Sequence, residues 1–396
     1  MHQPEPDVGP RVLHLTQPVD GGVARVVTDL AGAQLAAGLH VTVACPESPL
    51  AEDLRSLGVA VRRWEASRAP GPALPGEVRR LGRVLDAVRP DLVHAHSAKA
   101  GLAGRLAVRG RIPTVFQPHA WSFEAVGGVT AALALRWERS GARWADRLVC
   151  VSEAERATGE RAGITGRWTV VPNGIDPRRF HPAPAGTARA ALLPDTDPAA
   201  PLVVCVGRLC RQKGQDVLLA AWDAVLARVP GARLALVGDG PDRDALRRRA
   251  PESVVFAGSV ADAVPWYQAA DLVVLPSRWE GMALAPLEAL ACGRPVVVSE
   301  VDGARESLPA ALAPRCLVAP EDTSALARAV AELLLDPPLR ERLGRQGRRY
   351  VLSTHDVRRT AGQIAGVYRE LLGRPPSAAG HTARVVPTEC RESIHS

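Results

Sequence analysis

Short apolar segments alternate with amphipathic stretches along most of the chain. The first seven apolar segments are Arg11–Leu15, His40–Ala44, Val59–Arg62, Asp91–His94, Pro113–Phe116, Arg147–Val151 and Thr169–Val171. Most of them are followed by a turn rich in glycine or polar residues and then by a stretch with helical periodicity. Short buried strands that alternate with helices are typical of a parallel sheet covered on both faces. The pattern therefore predicts a doubly wound α/β domain.

The alternation lapses over residues 172–201, which contain seven prolines, and this stretch reads as a linker between domains. It then restarts at Leu202–Val206, Arg233–Val237, Val254–Phe256, Leu272–Leu275, Pro295–Val298 and Cys316–Val318. We expect an α/β protein with two tandem Rossmann-like domains of parallel sheet facing a cleft. The expected domains are residues 1–180 and 181–353, followed by a helix at 354–373 and a disordered tail at 374–396.

Composition is that of a soluble globular protein, with 46% hydrophobic and 23% charged residues. No apolar run approaches the roughly 18 residues of a membrane span. The seven cysteines show no paired spacing, and several lie within apolar strands, as expected for buried reduced thiols. We therefore expect a cytoplasmic protein.

The charge balance narrows the range of partners. Lys and Arg outnumber Asp and Glu by 49 to 42, which gives a formal net charge of +7. This mild and scattered excess is weaker than the basic stripe of a nucleic-acid binder, so no nucleic-acid partner is expected. It fits an anionic small substrate or an anionic membrane surface.

Two loops after strands have the character of anion sites. In open parallel sheets, ligands bind beyond the carboxyl ends of the strands. The loop Gly207–Gly214 carries Arg208, Arg211 and Lys213 and leads into a helix, and cations beside a helix N-terminus form a phosphate site. Gly21 and Gly22 occupy the corresponding turn of the first domain, where glycine allows the backbone to approach a ligand closely.

Two carboxylates, Glu280 and Glu288, flank the start of a predicted helix near Ala283. Eight residues at about 100° per residue return to nearly the same face, so both side chains can point into one cleft. A carboxylate can accept hydrogen bonds from two hydroxyls, which suits ribose or a sugar. The N–H groups between them suit phosphate or sugar oxygens.

Three further patterns follow strands and could carry other chemistry. Gly238 and Gly240 follow a strand, but Arg243 stands where a dinucleotide fingerprint needs its third glycine. His94 and His96 follow another strand, but no third metal ligand is evident, so no metal and no cofactor is expected. His119 follows a strand of the first domain and is a candidate partner for a hydroxyl or a developing charge.

Taken together, these motifs resemble those of the retaining family 4 glycosyltransferases, which have the GT-B fold. The resemblance runs from Gly21 and Gly22 to the final helix. Its most specific element is the E-x7-E pattern formed by Glu280 and Glu288. It is supported by the segments Val171–Asp176, Gly207–Gly214 and Val237–Pro241.

The resemblance implies a role for each charged residue. Arg208 and Lys213 would hold the donor diphosphate, and Glu288 would hold the ribose hydroxyls. Glu280 would contact the transferred sugar, and His119 would face that sugar from the acceptor side.

The resemblance also implies backbone contacts. The N–H groups of Met282, Ala283 and Leu284 would complete the sugar site, with Met282 standing where the family more often has Phe. Gly22 would let the first domain close on the phosphates, and backbone near Val260 would meet the nucleotide base. The terminal helix would cross back onto the first domain.

The implied reaction is transfer of a hexose from a nucleotide-diphosphate sugar to a hydroxyl, with retention of configuration. Cations and helix N-termini can stabilise the leaving diphosphate without a metal. Two alternatives remain open at this point. One is a sugar-nucleotide epimerase on the same fold, and the other is a non-catalytic subunit that binds a nucleotide sugar.

The expectation about the acceptor depends on Val129–Leu148, a segment predicted to form a helix or a helix pair. Arg136, Arg143 and Arg147 would align on one face beside a stripe of two tryptophans, as in a helix resting on an anionic membrane. The alternative is that the tryptophans pack inward and the arginines are merely solvated.

The segment His96–Gly101 resembles one found in relatives that act on lipid-linked glycans, so Lys99 would meet an acceptor phosphate. We therefore expect a glycan or lipid-linked acceptor in surface polysaccharide or glycolipid synthesis. This also predicts a peripheral location at the inner face of the plasma membrane.

Overall fold

Residues 9–68 and 70–373 are described by a computed structural model, and the predicted disordered tail at 374–396 lies outside them. The first sheet has seven parallel strands in the order β3-β2-β1-β4-β5-β6-β7. Its strands are β1 (Arg11–Thr16), β2 (His40–Cys45), β3 (Ala60–Arg63), β4 (Leu92–His96), β5 (Thr114–Gln117), β6 (Arg147–Cys150) and β7 (Trp168–Val170). The helices between them are α1 (Gly21–Ala36), α2 (Pro49–Ser56), α3 (Leu74–Val88), α4 (Ser97–Val108), α5 (Gly128–Gly141) and α6 (Glu153–Arg161).

The second sheet has six parallel strands in the order β10-β9-β8-β11-β12-β13. It is preceded by helix α7 (Ala185–Leu192), which lies within the stretch predicted as a linker. The strands are β8 (Leu202–Val206), β9 (Arg233–Val237), β10 (Val254–Gly258), β11 (Leu272–Leu275), β12 (Val296–Ser299) and β13 (Leu317–Val318). The helices are α8 (Gln215–Arg228), α9 (Arg243–Arg249), α10 (Val264–Ala269), α11 (Leu284–Ala291), α12 (Ala313–Cys316), α13 (Thr323–Leu335), α14 (Pro337–Thr354) and α15 (Val357–Leu371).

This architecture confirms the predicted fold class. Each predicted strand lies within one or two residues of an observed strand, because strands buried on both faces are almost wholly apolar. Six of the seven cysteines lie in the described part, where all six are free thiols and five are buried. None of the helices in the described part combines the length and the apolar character that crossing a bilayer requires.

The helix or helix pair expected over Val129–Leu148 is wrong at its C-terminal end. Helix α5 ends at Gly141, a short 3₁₀ turn follows over Ala142–Trp144, and β6 begins at Arg147. The apolar run from Leu148 pairs as a strand with β5 and β7, and this pairing outweighs the helical periodicity of the preceding residues.

The terminal helix α15 packs against the first domain although it follows the second in sequence. Its residues Ile364, Val367 and Tyr368 are buried in one cluster with Val12 and Leu92 of the first sheet. Beyond Thr354 the chain therefore returns to the domain in which it began.

The two domains meet at the N-terminus of α6. Glu306 of the second domain accepts hydrogen bonds from the backbone N–H groups of Glu153 and Ala154, at 2.7 and 2.9 Å. The Ser152 hydroxyl donates to the carbonyl of Gly281 at 2.9 Å. A carboxylate at a helix N-terminus is favoured by the free N–H groups and by the helix dipole, so these contacts hold the second domain against the first.

Glu155 is buried at this joint. Its carboxylate accepts a hydrogen bond from the backbone N–H of Val151 at 2.7 Å. Burial raises the pKa of Glu155 to about 8, although the N–H groups of Val151 and Ala120 act in the opposite direction. The folded protein therefore holds a proton on this side chain at a pH where the unfolded chain has released it.

This raised pKa predicts a pH-dependent effect of Glu155→Gln on stability. As pH rises from about 5 towards 8, the wild type loses stability because folding must take up a proton on Glu155, and this uptake becomes less favourable as protons become scarcer. The variant carries no such proton, so its free energy of unfolding relative to wild type should increase over this range by on the order of 1–3 kcal/mol. Thermal unfolding at several pH values measures the difference.

Glu153→Gln is the matched control, because this carboxylate lies on the same helix and its side chain is 62% exposed. The difference between Glu155→Gln and this control at each pH isolates the effect of burying the carboxylate. If Glu155→Gln differed from wild type by the same amount at pH 5 and pH 9, Glu155 would not titrate between them in the folded protein.

Candidate active site

The loop after β8 and the loop after β11 bring Lys213 and Glu280 into direct contact. Lys213 Nζ lies 2.5 Å from Glu280 Oε1, and the Ser277 hydroxyl donates to the same oxygen at 2.7 Å. Glu280 is only 8% exposed. Lys213 keeps further N–H donors beyond the one given to Glu280, so this pair can bind an anion and a hydroxyl side by side.

Arg208, on the same loop as Lys213, is partly exposed. No hydrogen bond of its guanidinium is found within the described residues. Burial lowers the pKa of Arg68, on the loop after β3, and the positive charge of Arg208 lowers it further. Two cations from different domains therefore lie close enough to repel each other, and an anion bound near both would relieve that repulsion.

Glu288 lies on α11 and has different partners from Glu280. It accepts a hydrogen bond from the Tyr267 hydroxyl at 2.5 Å. Burial raises the pKa of Glu288, and the positive charges of Arg25 and Arg179 oppose that shift. The carboxylate therefore lies within the field of Arg25 on α1 of the first domain.

The N-termini of α1 and α11 approach each other across the cleft. A Cβ atom placed on Gly22 would lie 3.8 Å from the side chain of Leu284, the first residue of α11. Neither helix has a side-chain cap on its first N–H groups. Two helix N-termini with free donors, beside Arg208 and Lys213, form a strongly anion-attracting site.

A residue of the first domain holds the backbone that precedes α11. The side-chain amide of Asn173 donates to the carbonyl of Met282 at 2.8 Å, while Ala283 has an extended conformation before the first helical turn. Asn173 belongs to the segment Val171–Asp176, which sequence reasoning took only as a mark of resemblance.

Val260 follows β10 and is partly buried against the core of the second domain, and contact with a nucleotide base remains a prediction for it.

His119 lies at the same junction, on the loop after β5. Its backbone has a left-handed conformation with φ of 57°, and Ala120 follows with φ of 128°. A Cβ atom on Gly281 would lie 3.0 Å from the carbonyl carbon of His119. Residues held in such sparsely populated conformations cluster at functional sites. His119 is therefore placed beside the loop that carries Glu280.

Sequence reasoning missed His14, which joins His94 and His96 in the core. His14 and His94 are direct neighbours in the pairing of β1 with β4. The three residues offer ring nitrogens within 4.8 Å of one another. However, the rings of His94 and His96 are stacked 4.0 Å apart, and His14 and His96 are hydrogen-bonded to each other. This is the geometry of a hydrogen-bond network, because nitrogens that converge on a metal would not bond to each other.

Lys99 has a setting different from the one expected of an acceptor-binding residue. Its ammonium lies 2.6 Å from Glu77 Oε2, and the two side chains are 3% and 1% exposed. Nearby, Ser67 donates to the other oxygen of Glu77. The structure thus gives Lys99 a buried ionic partner, and contact with an acceptor phosphate remains a prediction.

The predicted arginine row is corrected by the end of α5. Arg136 lies on α5, Arg143 lies on the 3₁₀ turn, and Arg147 begins β6, so the three do not share a helix face. Arg136 and Arg143 are exposed. Arg147 instead donates to Glu370 at 2.7 Å and helps to hold α15.

The tryptophans near α5 are half-buried and contact each other. The rings of Trp137 and Trp144 lie 6.1 Å apart, and the guanidinium of the buried Arg105 lies 5.3 Å from the Trp137 ring. Arg105 is also paired with Glu138 at 2.6 Å. Trp137 therefore packs over a buried ion pair, and both tryptophans stay partly exposed.

Comparisons with known proteins agree with this arrangement. Residues 20–179 match the family described as Glycosyltransferase Family 4, and residues 200–336 match Glycosyl transferases group 1. The chain is 31% identical over 388 residues to a GDP-mannose-dependent alpha-(1-6)-phosphatidylinositol monomannoside mannosyltransferase of Mycobacterium tuberculosis, covering 91% of this chain and 98% of the relative. It is 32% identical over 383 residues to a D-inositol 3-phosphate glycosyltransferase of Actinosynnema mirum, covering 85% of each.

A third relative is the lipopolysaccharide core biosynthesis mannosyltransferase LpcC of Rhizobium leguminosarum, at 34% identity over 57% of this chain and 67% of the relative. Among solved structures, sucrose-phosphate synthase from Thermosynechococcus elongatus superposes with a TM-score of 0.77 at 26% identity, covering 92% and 99% of the two chains. Anabaena Alr3699/HepE in complex with UDP-glucose gives 0.78 at 23% identity, covering 91% and 100%, which supports the fold alone. On these matches, which span both domains and nearly the full length of a relative, the chain belongs to family 4 of the group 1 glycosyltransferases and has the GT-B fold.

Proposed function

We propose that this glycosyltransferase moves a hexose, with mannose from GDP-mannose as the leading donor, to a hydroxyl of a lipid-linked acceptor with retention of configuration. The observation that carries the proposal is the contact between Lys213 and Glu280 beside Arg208 and the N-terminus of α11. A diphosphate on the cations would place the attached sugar next to the Glu280 carboxylate.

The chemistry follows from where charge develops. As the bond between the anomeric carbon and the phosphate oxygen breaks, the sugar becomes positive and the diphosphate becomes more negative. Arg208, Lys213 and the two helix N-termini stabilise the departing diphosphate. The acceptor oxygen bonds to the anomeric carbon on the same face, and its proton passes to the departing phosphate oxygen. The products are the glycoside and the nucleoside diphosphate.

Retention requires no covalent link to the protein in this scheme. Glu280 is already paired with Lys213 and Ser277, which suits a carboxylate that holds a sugar hydroxyl more than a nucleophile. Closure of the two domains around the donor would exclude water, which would otherwise hydrolyse it.

The choice of mannose rests on the relatives. Two of the three described above are named as mannosyltransferases, and the mycobacterial one is named as GDP-mannose-dependent. UDP-glucose, which was bound in the Anabaena structure, is the natural competitor in a donor panel.

The choice of a lipid-linked acceptor rests on a surface as well as on the relatives. Val129 and Leu133 on α5 are 77% and 62% exposed. At about 100° per residue they lie within about 60° of the exposed Arg136 on the same helix. An apolar face with an adjoining cation fits the headgroup region of an anionic bilayer.

Donor binding should depend on the two cations. A nucleoside diphosphate that binds only the folded protein raises its melting temperature, by an amount equivalent to about 2.7 kcal/mol at 100 times Kd. We expect the double variant with Arg208→Ala and Lys213→Ala to lose most of the shift that GDP produces. Differential scanning fluorimetry with GDP and UDP, each variant being compared with its own ligand-free state, measures it.

Arg211→Ala is the matched control, because this exposed cation lies on the same loop and faces Trp279. It should keep the shift. An undiminished shift in the double variant would place the phosphates elsewhere.

Transfer should depend on Glu280. With GDP-mannose and a lipid extract, the wild type should release GDP and form a mannosylated lipid. Glu280→Gln should lower kcat by about 10- to 100-fold while GDP still raises the melting temperature, since the carboxylate contacts the sugar and not the phosphates. Product analysis by mass spectrometry separates the rival functions. An epimerised nucleotide sugar, or binding of every donor without turnover, would contradict the proposal.

Membrane association should depend on the exposed face of α5. The wild type should float with vesicles that contain phosphatidylglycerol, and Val129→Ser with Leu133→Ser should reduce the floating fraction several-fold because apolar area is lost from the contact. Leu352→Ser is the control, since this leucine is 37% exposed on α14. Equal flotation of the double variant and the control would remove the lipid surface from the proposal.

A further inference from the structure

Four side chains form a continuous line of hydrogen bonds from the core of the first domain to the cleft. Gln34 Oε1 lies 2.7 Å from His14 Nε2, and His14 Nδ1 lies 3.0 Å from His96 Nε2. His96 Nδ1 lies 3.1 Å from His119 Nε2. The line therefore begins on α1, crosses β1 and β4, and ends on the loop that packs against Gly281.

All three of these histidines are neutral at physiological pH. Burial lowers the pKa of His14 to about 4 and that of His119 to about 3, and burial together with the neighbouring rings lowers the pKa of His96 well below its usual value. A neutral imidazole has one donor nitrogen and one acceptor nitrogen. The bonds along the line must therefore all run in the same direction, and that direction decides which nitrogen of His119 carries the proton.

The direction is set where the line meets the terminal helix. Tyr368 on α15 places its hydroxyl 3.3 Å from Gln34 Nε2 and 2.6 Å from His94 Nδ1. If Gln34 donates to Tyr368, its oxygen accepts from His14 and the hydroxyl must donate to His94. If the Gln34 amide were turned over, every bond of the line would reverse, and His94 would carry its proton on Nδ1.

The structure has the first arrangement, because the Gln34 oxygen faces His14 and its nitrogen faces Tyr368. Gln117 on β5 is compatible with it. The Gln117 oxygen Oε1 and His94 Nε2 are both buried, and neither has a hydrogen-bond partner of good geometry in the described part of the chain. Gln117 is also the side chain whose hydrogen bonding opposes the lowering of the His94 pKa by burial. With a proton on His94 Nε2, these two buried atoms are a donor and an acceptor, whereas in the reversed arrangement both would be acceptors in a dry interior.

We propose that Tyr368 and Gln34 are positioning residues that fix the His119 tautomer with its proton on Nε2, so that Nδ1 accepts a hydrogen bond from a substrate hydroxyl. Tyr368 donates to His94 and accepts from Gln34, His14 donates to Gln34, His96 donates to His14, and His119 donates to His96. Within the described residues, no group donates to Nδ1 of His119. The part that concerns substrate rests on the function proposed above.

Through this line of hydrogen bonds, the terminal helix influences the active site without contacting it. Helix α15 is the last helix of the described residues, yet its Tyr368 hydroxyl orients a line that ends beside the loop carrying Glu280. Ordering three imidazoles in advance removes the need to reorient them when substrate binds, which is the benefit of preorganised dipoles.

The tautomer can be read directly by two-bond ¹H–¹⁵N correlation spectra of the full chain labelled with ¹⁵N-histidine. The chain has ten histidines, and His119→Asn assigns the signals of His119 by their loss. In the wild type we expect the pattern of a proton on Nε2. In Tyr368→Phe, which loses both the donor to His94 and the acceptor for Gln34, we expect an average of the two tautomers.

Tyr350→Phe is the matched control, because it also removes a phenol hydroxyl near the C-terminus, where Tyr350 donates to the backbone of Glu306. It should leave the His119 pattern unchanged. If Tyr368→Phe fails to fold, Gln34→Met takes its place, since it keeps the length of the side chain and removes its polar ends.

Kinetics test the use of Nδ1 by substrate. Tyr368→Phe should lower kcat by about 2- to 10-fold, the range that one neutral hydrogen bond gives, with the KM for the nucleotide sugar unchanged within about twofold. A purely structural role of Tyr368 would not move the tautomer pattern.

Three results would overturn the inference: a proton on Nδ1 of His119 in the wild type, an unchanged pattern in Tyr368→Phe, or a changed pattern with kcat unaltered. Failure of the proposed function looks different. A wild type that transfers no sugar from any donor would leave the nuclear magnetic resonance result intact.

Discussion

The candidate site depends on how closely the two domains approach each other at Gly281. A Cβ atom at this position would lie 2.8 Å from Glu155 Oε1 and 3.0 Å from the carbonyl carbon of His119, so only a residue without a side chain allows the contact. The carbonyl of Gly281 is held in turn by Ser152. Because Glu280 immediately precedes Gly281, the contact places the second domain's carboxylate beside the first domain's histidine.

Around the candidate site, the arginine and lysine side chains are charged whereas the histidines are neutral. Lys213 and Glu280 are directly paired, and the positive charges of Arg208 and Arg68, which belong to different domains, act on each other. The nearby histidines are neutral because burial removes the hydration that a cation needs. The positive field in the cleft therefore comes from arginine, lysine and helix N-termini, while histidines supply oriented hydrogen bonds.

The terminal helix has two roles in the first domain. By packing on β1 and β4, α15 covers the core and also brings Tyr368 to the buried end of the histidine line. Arg147 and Glu370 tie the same helix to β6. A change on α15 can thus reach the cleft through hydrogen bonds without touching a ligand.

The sequence by itself determined the two parallel sheets, because strands buried on both faces must be apolar and the helices between them must be amphipathic. It also indicated the loop of Arg208 and Lys213 and the pair Glu280 and Glu288, since ligands of such sheets lie at strand ends. Only the tertiary structure decided the partners: Lys99 with Glu77, Arg147 with Glu370, and His14 with His96. Those contacts join residues that are 22 to 223 positions apart, and their geometry depends on strand order and domain packing, neither of which local periodicity encodes.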